Sequence, residues 1–186
     1  MNQNEKDIIG IGTIATIFQL IGENKNREGL IDTPRRVVKS WKELYRGYDL
    51  SQKPKMTVFS NDMKLSQMIH DTGYFYSQCE HHMIPFFGNY HFAYIPGKKI
   101  VGLSKIARIV DFYSAKLQVQ ERLVKEILDE IEKELKPKGI ALTLTGRHMC
   151  KEMRGARKNG GEMTTSDLRG VFLSDPSVKA EFLNTK

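Results

Sequence analysis

Cysteine, histidine and tryptophan are scarce in this chain of 186 residues, which has two, five and one of them respectively. Two cysteines are too few for the disulfide framework of a small secreted domain, so free thiols or metal ligands are the better interpretation. Long apolar runs are absent too. No segment is long enough to span a bilayer, and the N-terminus MNQNEKDIIGIG carries early acidic residues and no signal-peptide core. We therefore expect a cytoplasmic protein.

The composition is that of an ordinary globular protein, 40% hydrophobic and 27% charged, with room for one sizeable core. The net charge is +7, which suits a nucleic acid, an anionic surface or a phosphorylated small molecule. Several basic residues surround Cys150, with Glu152 as the one acid among them: Arg147, Lys151, Arg154, Arg157 and Lys158. Such a cluster is commonly a solvated face, but beside a metal site it favours an anionic substrate.

Two short segments have the spacing of metal ligands. Cys79 and His82 are three residues apart, as in the first half of a zinc site. His148 and Cys150 are two apart and would face the same way on an extended strand. Cys79, His82 and Cys150 give three soft ligands, and a catalytic zinc keeps its fourth position open. His81 and His148 would then stand beside the metal, where imidazoles can transfer protons.

Simpler interpretations stay open on spacing alone. A single Cys-x-x-His pattern is weak. The two cysteines could be unrelated buried thiols, since free cysteine packs as a small hydrophobic residue. His81 and His82 could be an exposed polar pair.

Apolar periodicity predicts four main helices. The first covers residues 5–22, and the second begins at Asp32-Thr33-Pro34, with Asp32 capping and Trp41 packing in the core. Ser104 is expected to cap the third. Apolar residues every four positions predict the fourth from about Val119 to Leu135.

Loose alternation predicts a strand at 67–77, aromatic and apolar content predicts one at 86–95, and alternation from Ile140 predicts one that delivers His148 and Cys150. We also expect a final strand at 163–173 and a short extended piece at 100–101. Residues 48–66 show no period, and Asp175-Pro176 should start a short C-terminal helix. This order implies an α+β fold with an antiparallel sheet. We expect an N-terminal helical arm over residues 1–50 and a catalytic domain over 51–186.

Six motifs occur in one order: Ser-Gln-Cys-Glu-His-His, Tyr-Ile-Pro, Gly-Leu-Ser-Lys-Ile-Ala-Arg, Gln-Val-Gln-Glu-Arg-Leu, Arg-His-Met-Cys and Thr-Thr-Ser-Asp-Leu-Arg-Gly. Together they resemble type I GTP cyclohydrolase over residues 33–183. The resemblance implies the tunnelling fold, an antiparallel sheet with two long helices on one face, assembled into a homodecamer of two pentamers with intersubunit active sites. It also implies zinc-dependent opening of the guanine imidazole ring of GTP, formate release and rearrangement to 7,8-dihydroneopterin triphosphate, the first step of pterin and tetrahydrofolate biosynthesis.

The resemblance also implies roles for single residues. It assigns one Zn²⁺ per subunit to Cys79, His82 and Cys150, and catalysis to His81, His148 and Ser104. Guanine would be held by Glu121 with Gln120 beside it. The ribose and triphosphate contacts would be Ser104, Lys105, Arg108 and Arg154, with Arg36 and Lys39 added less securely from a neighbouring subunit. Lys151, Glu152 and Asp167 depart from the family pattern, which bears on substrate affinity.

Three other functions stay open on the sequence. A basic nucleic-acid-binding module with a structural zinc would need a fourth ligand, for which His70 and His91 are the remaining histidines, and exposed aromatic residues. The aromatic residues lie in predicted strands at apparent core positions, which disfavours it. Another tunnelling-fold pterin or deazapurine enzyme would carry a different metal or thiol pattern. An inactive relative kept for interaction would not need both spare histidines.

Overall fold

The computed structural model describes residues 1–185. Its contacts divide the chain into two units, Met1–Arg46 and the part from Gly47 onward. The first unit holds helices α1 (Gln3–Leu20) and α2 (Thr33–Leu44).

Helix α1 begins with a capping box, in which the Asn2 side chain accepts from the Glu5 backbone N–H and Glu5 accepts from Asn2. A Cβ placed on Gly10 would lie 2.8 Å from Val38 Cγ2 and 3.4 Å from Trp41, so the absence of a side chain lets α1 and α2 approach. Trp41 packs at this contact, as expected. The apolar face predicted for α1 is largely exposed in the single chain, with Ile8 62% and Ile21 70% accessible.

The second unit contains all the strands. In chain order its elements are β1 (Val58–Ser60), β2 (Ile69–Cys79), β3 (Pro85–Ile95), β4 (Lys99–Val101), α3 (Ser104–Ser114), β5 (Leu117–Gln118), α4 (Gln120–Leu135), β6 (Gly139–His148), α5 (Met149–Glu152), β7 (Glu162–Gly170), α6 (Val171–Ser174) and α7 (Pro176–Asn184).

The main sheet has the order β5-β2-β3-β6-β7, with every pair antiparallel except the short parallel pair β2–β5. Strands β1 and β4 form a separate antiparallel pair. Ser77 lies opposite Phe86, and Phe86 lies opposite His148. The last residues of β2 and β6 therefore meet at one end of the sheet, where the predicted metal ligands are.

Helices α3 and α4 cover one face of the sheet and form the main core with it. Leu123, Ile127, Ile131 and Leu135 of α4 are fully buried against alternate residues of the strands, such as Leu142. Each such side chain contributes roughly 1.5–3 kcal/mol by leaving water. The α+β class, the antiparallel sheet and the two helices on one face are thus confirmed.

The other face of the sheet is more polar. A small cluster of Ala93, Ala141, Phe172 and Phe182 packs α6 and α7 onto it. Elsewhere it exposes Tyr74 and Tyr76, each 71% accessible, while Phe75 between them is buried. The expectation that the strand aromatics lie in the core is therefore wrong for these two tyrosines, because side chains alternate between faces along a strand.

Several local predictions need correction. Asp32 and Ser104 make no side-chain capping bond; Leu103 occupies the cap position of α3. The region predicted as irregular contains β1, whose partner β4 lies about forty residues later. The last strand ends at Gly170, where φ is +61°, and residues 171–174 form α6. The helix starting at Pro176 is confirmed, with Asp175 accepting from Ser177 and Val178 backbone N–H groups.

Among residues 1–185 there is no helix with both the length and the apolar character that crossing a bilayer requires.

Candidate metal centre and its surroundings

The first pair of candidate ligands lies on the tight turn after β2. Cys79 is the last residue of that strand and is buried. Its carbonyl accepts from the backbone N–H of His82 at 3.4 Å and of Met83 at 2.8 Å, while its own N–H donates to Ile84 O at 2.9 Å. Met83 takes a φ of +53° to close the turn. These bonds fold residues 79–84 back on themselves and bring the Cys79 Sγ to 3.8 Å from His82 Nδ1.

The third candidate ligand comes from the far end of β6. The strand ends at His148, and Cys150 lies in the four-residue helix α5. The expectation that His148 and Cys150 share the face of one strand is wrong, because the chain turns into a helix between them. The turn nonetheless carries Cys150 to the Cys79–His82 pair.

The ligand atoms of Cys79, His82 and Cys150 all lie within 4.8 Å of one another. In residues 1–185 this is the only group of three or more such side chains close enough to share an ion. Two thiolates and an imidazole are a donor set that zinc favours, and three protein donors leave one position open. Burial and the neighbouring Cys79 thiol raise the pKa of Cys150, whereas the Arg154 guanidinium opposes the shift. The residues present therefore fit a zinc ion.

His148 is held by a buried amide. Its Nε2 lies 3.0 Å from Gln120 Oε1, and its ring stacks on Phe86 at a centroid distance of 4.6 Å. Gln120 Nε2 donates towards Leu144 O at 3.0 Å and Met163 O at 2.9 Å. Carbonyl oxygens only accept, so the amide orientation is fixed and the Gln120 oxygen must accept from His148. His148 therefore carries its proton on Nε2.

The environment of His148 disfavours its protonated form. Burial lowers its pKa, the nearby Glu121 carboxylate raises it and Lys151 lowers it, with a net downward shift. A neutral imidazole with Nε2–H leaves Nδ1 as the nitrogen that can take up a proton.

His81 stands at the surface of the same turn. Its side chain is 63% exposed, with Nδ1 3.8 Å from Cys79 Sγ and Nε2 4.0 Å from Glu80 Oε1. Glu80 is engaged by Arg122, whose Nη1 and Nη2 donate to its two oxygens at 2.5 and 3.2 Å. This pair joins the metal turn to the first turn of α4. It was not anticipated from the sequence, although both residues lie within the quoted motifs, because nothing in one sequence pairs positions 42 apart.

The predicted substrate residues fall into separate places. Glu121 lies exposed in the first turn of α4 and acts electrostatically on His148, and Arg154 acts on Cys150, so both adjoin the metal group. Ser104 and Lys105 begin α3 beside Leu103, which lines a small apolar cavity with Ile69 at the opposite end of β2 from Cys79. A strand of 11 residues spans about 35 Å.

Three further arginine or lysine positions complete the set. Arg108 lies one turn beyond Ser104 on α3, and is exposed. Arg36 and Lys39 are exposed on α2 in the N-terminal unit, where Arg36 pairs with Asp32 at 3.7 Å. Within one chain, therefore, Ser104, Lys105 and the metal ligands do not meet.

Fold and site together define an α+β protein with a Cys-His-Cys group that could hold a metal, next to two histidines and a carboxylate. The family model of GTP cyclohydrolase I matches residues 11–186. The chain belongs to the GTP cyclohydrolase I family.

Named relatives match most of the chain. A protein called GTP cyclohydrolase 1 from Deinococcus radiodurans is 49% identical over 166 residues, covering 88% of this chain and 76% of the relative. One from Wolinella succinogenes is 43% identical over 182 residues, 96% of each chain. One from Clostridium perfringens is 47% identical over 167 residues, 88% of each. The apo crystal structure of a QueF-like archaeosine synthase aligns with a TM-score of 0.46 at 16% identity, covering 55% of this chain and 93% of its own, too distant to bear on function.

Proposed function

We propose that this chain opens the imidazole ring of GTP by hydrolysis, releases formate and forms 7,8-dihydroneopterin triphosphate, feeding pterin and tetrahydrofolate biosynthesis. Family membership is the broad support. The observation that carries the proposal is the convergence of Cys79, His82 and Cys150 within 4.8 Å, with His148, His81 and Glu121 beside them. A cytoplasmic location stays a prediction.

A zinc ion held by Cys79, His82 and Cys150 would supply a bound water with its pKa lowered towards neutrality. The chain's own residues manage the protons. As the carbon between the two imidazole nitrogens of guanine is hydrolysed, a ring nitrogen must be protonated when its C–N bond breaks. We assign that proton to His81, and its exposure beside the turn supports the assignment. His148 has its Nδ1 free of the Gln120 bond, and this supports a role for it in taking up and returning protons during the later rearrangement of the sugar.

Guanine recognition falls to Glu121. An ionised carboxylate has two acceptor oxygens and no donor. The guanine edge offers a ring N–H and an exocyclic amine side by side, so the two groups match in number and type. Gln120 remains proposed beside the base, as its motif implies. Its side-chain amide is also bonded inside the protein, which supports the site by fixing His148.

The triphosphate requires cations that position it without cleaving it. Arg154 adjoins the metal group in the same chain. Lys105, Arg108 and the hydroxyl of Ser104 lie towards the other end of the sheet, so they would serve a metal centre in a neighbouring subunit. Arg36 and Lys39 are proposed for the same intersubunit role. This division favours an assembly with composite sites, for which a homodecamer of two pentamers is our proposal.

A nucleic-acid-binding module with a structural zinc would need a fourth protein ligand, and neither remaining histidine supplies one. His70 and His91 lie against each other, with ring nitrogens 2.9 Å apart, and His91 stacks on Phe182. Neither joins the metal group formed by the described residues. The direct test of the proposed reaction is formate and pterin production from GTP by the zinc-loaded protein.

A further inference from the structure

The turn that carries Cys150 is closed by an ion pair. Arg147 Nε donates to Glu152 Oε1 at 2.9 Å, and Nη2 donates to Oε2 at 2.6 Å. Parallel bonds of this kind fix both distance and orientation. Only 6% of the Glu152 side chain is exposed, against 42% for Arg147. Cys150 lies between the two residues in sequence, so the pair spans a metal ligand.

Arg147 is itself fixed to the sheet. Its partner in the β3 register is Phe87, whose ring centre lies 5.9 Å from the guanidinium carbon. Tyr76 from β2 stacks on the same Phe87 ring at a centroid distance of 5.7 Å. On the other side, Arg147 is opposite Glu162 of β7. Contacts across four strands thus hold the arginine end of the pair.

Glu152 also reaches the basic loop that follows α5. Its carboxylate also accepts a hydrogen bond from the Gly160 backbone N–H. The loop folds back on the helix, with Lys158 N–H donating to Lys151 O at 3.3 Å. Gly155, Arg157 and Gly160 all have positive φ. An exposed loop with three such residues has little packing of its own, and Glu152 gives it a fixed partner.

We propose that Glu152, held by Arg147, is a positioning residue that fixes the metal ligand Cys150 relative to Arg154. This inference rests on the proposed function, which makes Arg154 a triphosphate contact. Cys150 precedes Glu152 by two residues and Arg154 follows it by two. A helix of four residues does not persist by its own hydrogen bonds, so an outside anchor must set its place. This proposal gives a function to Glu152, one of the residues that depart from the family pattern.

The test compares Glu152→Gln, Arg147→Met and the double variant with the parent protein. Zinc affinity is measured by competition with a chromophoric chelator, and KM and kcat for GTP are measured at saturating zinc. We expect zinc affinity to fall by about tenfold, the lower end of the range for residues that support ligands. KM should rise several-fold with kcat little changed, because the groups at the reacting atoms are intact. The double variant should match the worse single variant, since both remove one interaction.

The matched control is the forked pair of Arg27 and Glu23 in the N-terminal unit, with distances of 3.3 and 3.4 Å and more exposure. Glu23→Gln should leave zinc affinity and KM unchanged. If Glu152→Gln does not fold, Arg147→Lys replaces it, because lysine keeps the charge and loses the fork.

Unchanged zinc affinity and KM in the folded variants, or additive losses in the double variant, would overturn the proposal. A lower melting temperature with all other parameters unchanged would also overturn it, because that is the effect of a purely structural pair. If the parent binds zinc but does not turn over GTP, the proposed function fails, while the zinc affinities still decide whether the pair positions Cys150.

Discussion

His148 Nε2 lies 3.0 Å from Gln120 Oε1, and the same Gln120 amide donates to two main-chain carbonyls of β6 and β7. The sheet therefore dictates which nitrogen of the histidine carries its proton. The buried core is thereby linked to the candidate site: Gln120, which is 1% exposed, determines the tautomer of His148.

Gln120→Met should damage both stability and activity. Methionine has a similar length but cannot donate to Leu144 and Met163 O or accept from His148, and each buried group left unpaired costs about 1–3 kcal/mol. We expect a lower melting temperature, and pterin formation lower by about tenfold or more, a share of what a positioned acid–base group contributes, because His148 acts in the later rearrangement of the sugar. Gln52→Met, which removes an exposed bond to Asp49, is the control and should change neither. Full activity in a folded Gln120→Met protein would show that the bond does not matter to His148.

His81→Ala should separate catalysis from metal binding. His81 is exposed and lies outside the three-donor group, so the variant should fold, retain one zinc and bind GTP. Formate release should fall by about a hundredfold or more for loss of a general acid. The matched variant His82→Ala, one residue away, should lose zinc. Elemental analysis decides between them: zinc loss in His81→Ala with retention in His82→Ala would mean that the two roles are reversed.

If Glu121 binds guanine, kcat/KM should be highest for GTP, lower for ITP and at background for ATP. ITP keeps the ring N–H but lacks the amine, so it loses one charge-assisted bond of about 1.5–3 kcal/mol. Adenine places an acceptor where guanine has a donor, and sites of this kind reject such analogues by roughly four orders of magnitude. Glu121→Ala should flatten the order by damaging GTP most. Glu134→Ala, near the other end of α4, is the control; an unchanged GTP-over-ITP preference in Glu121→Ala would contradict the assignment.

Composite sites predict rescue between two inactive variants. Lys105 lies at the opposite end of β2 from Cys79, so each proposed site takes its metal from one chain and Lys105 from another. Cys150→Ala and Lys105→Ala should each be inactive alone. Co-expressed in equal amounts, they should restore activity at about a quarter of the sites, the random fraction with both parts intact. Size determination in solution should give far more than a dimer. A fully active monomer, or no recovery in the mixed protein, would contradict shared sites.

The sequence predicted most of the fold because its signals were local. The period of α4, the aromatic and apolar run of β3 and Asp175-Pro176 at the start of α7 each specify an element within a few residues. Strand β1 was not predicted because its three residues are too few to show a pattern, and they form a strand only by pairing with β4. The capping predictions for Asp32 and Ser104 were wrong. A residue type shows only that a side chain is able to cap a helix, and the backbone conformation at the helix start decides whether the capping bond forms.

In the candidate site, too, the residues with a local signal were predicted and the pairs formed by folding were not. The spacing of Cys79 and His82 predicted both, because one turn holds them. The position of Cys150 was found with the wrong geometry, since the end of β6 is set by contacts with β3 and β7 and has no local signal. The pairs Glu80–Arg122 and Arg147–Glu152 depend on folding, and one sequence offers no pattern that links them. The sequence showed Glu152 as the one acid among the basic residues around Cys150, but it did not indicate that Arg147 is its partner.

The most direct test of the central claim uses GTP carrying isotopic carbon between the two imidazole nitrogens of guanine, incubated with the zinc-loaded protein. We expect labelled formate and a fluorescent pterin, after oxidation, in equal amounts, with the triphosphate intact. Cys150→Ala should bind less than one equivalent of zinc and release no formate, while Met153→Ala, an exposed neighbour, should behave as the parent. GTP recovered unchanged from a fully zinc-loaded protein, or label retained in the nucleotide, would contradict it.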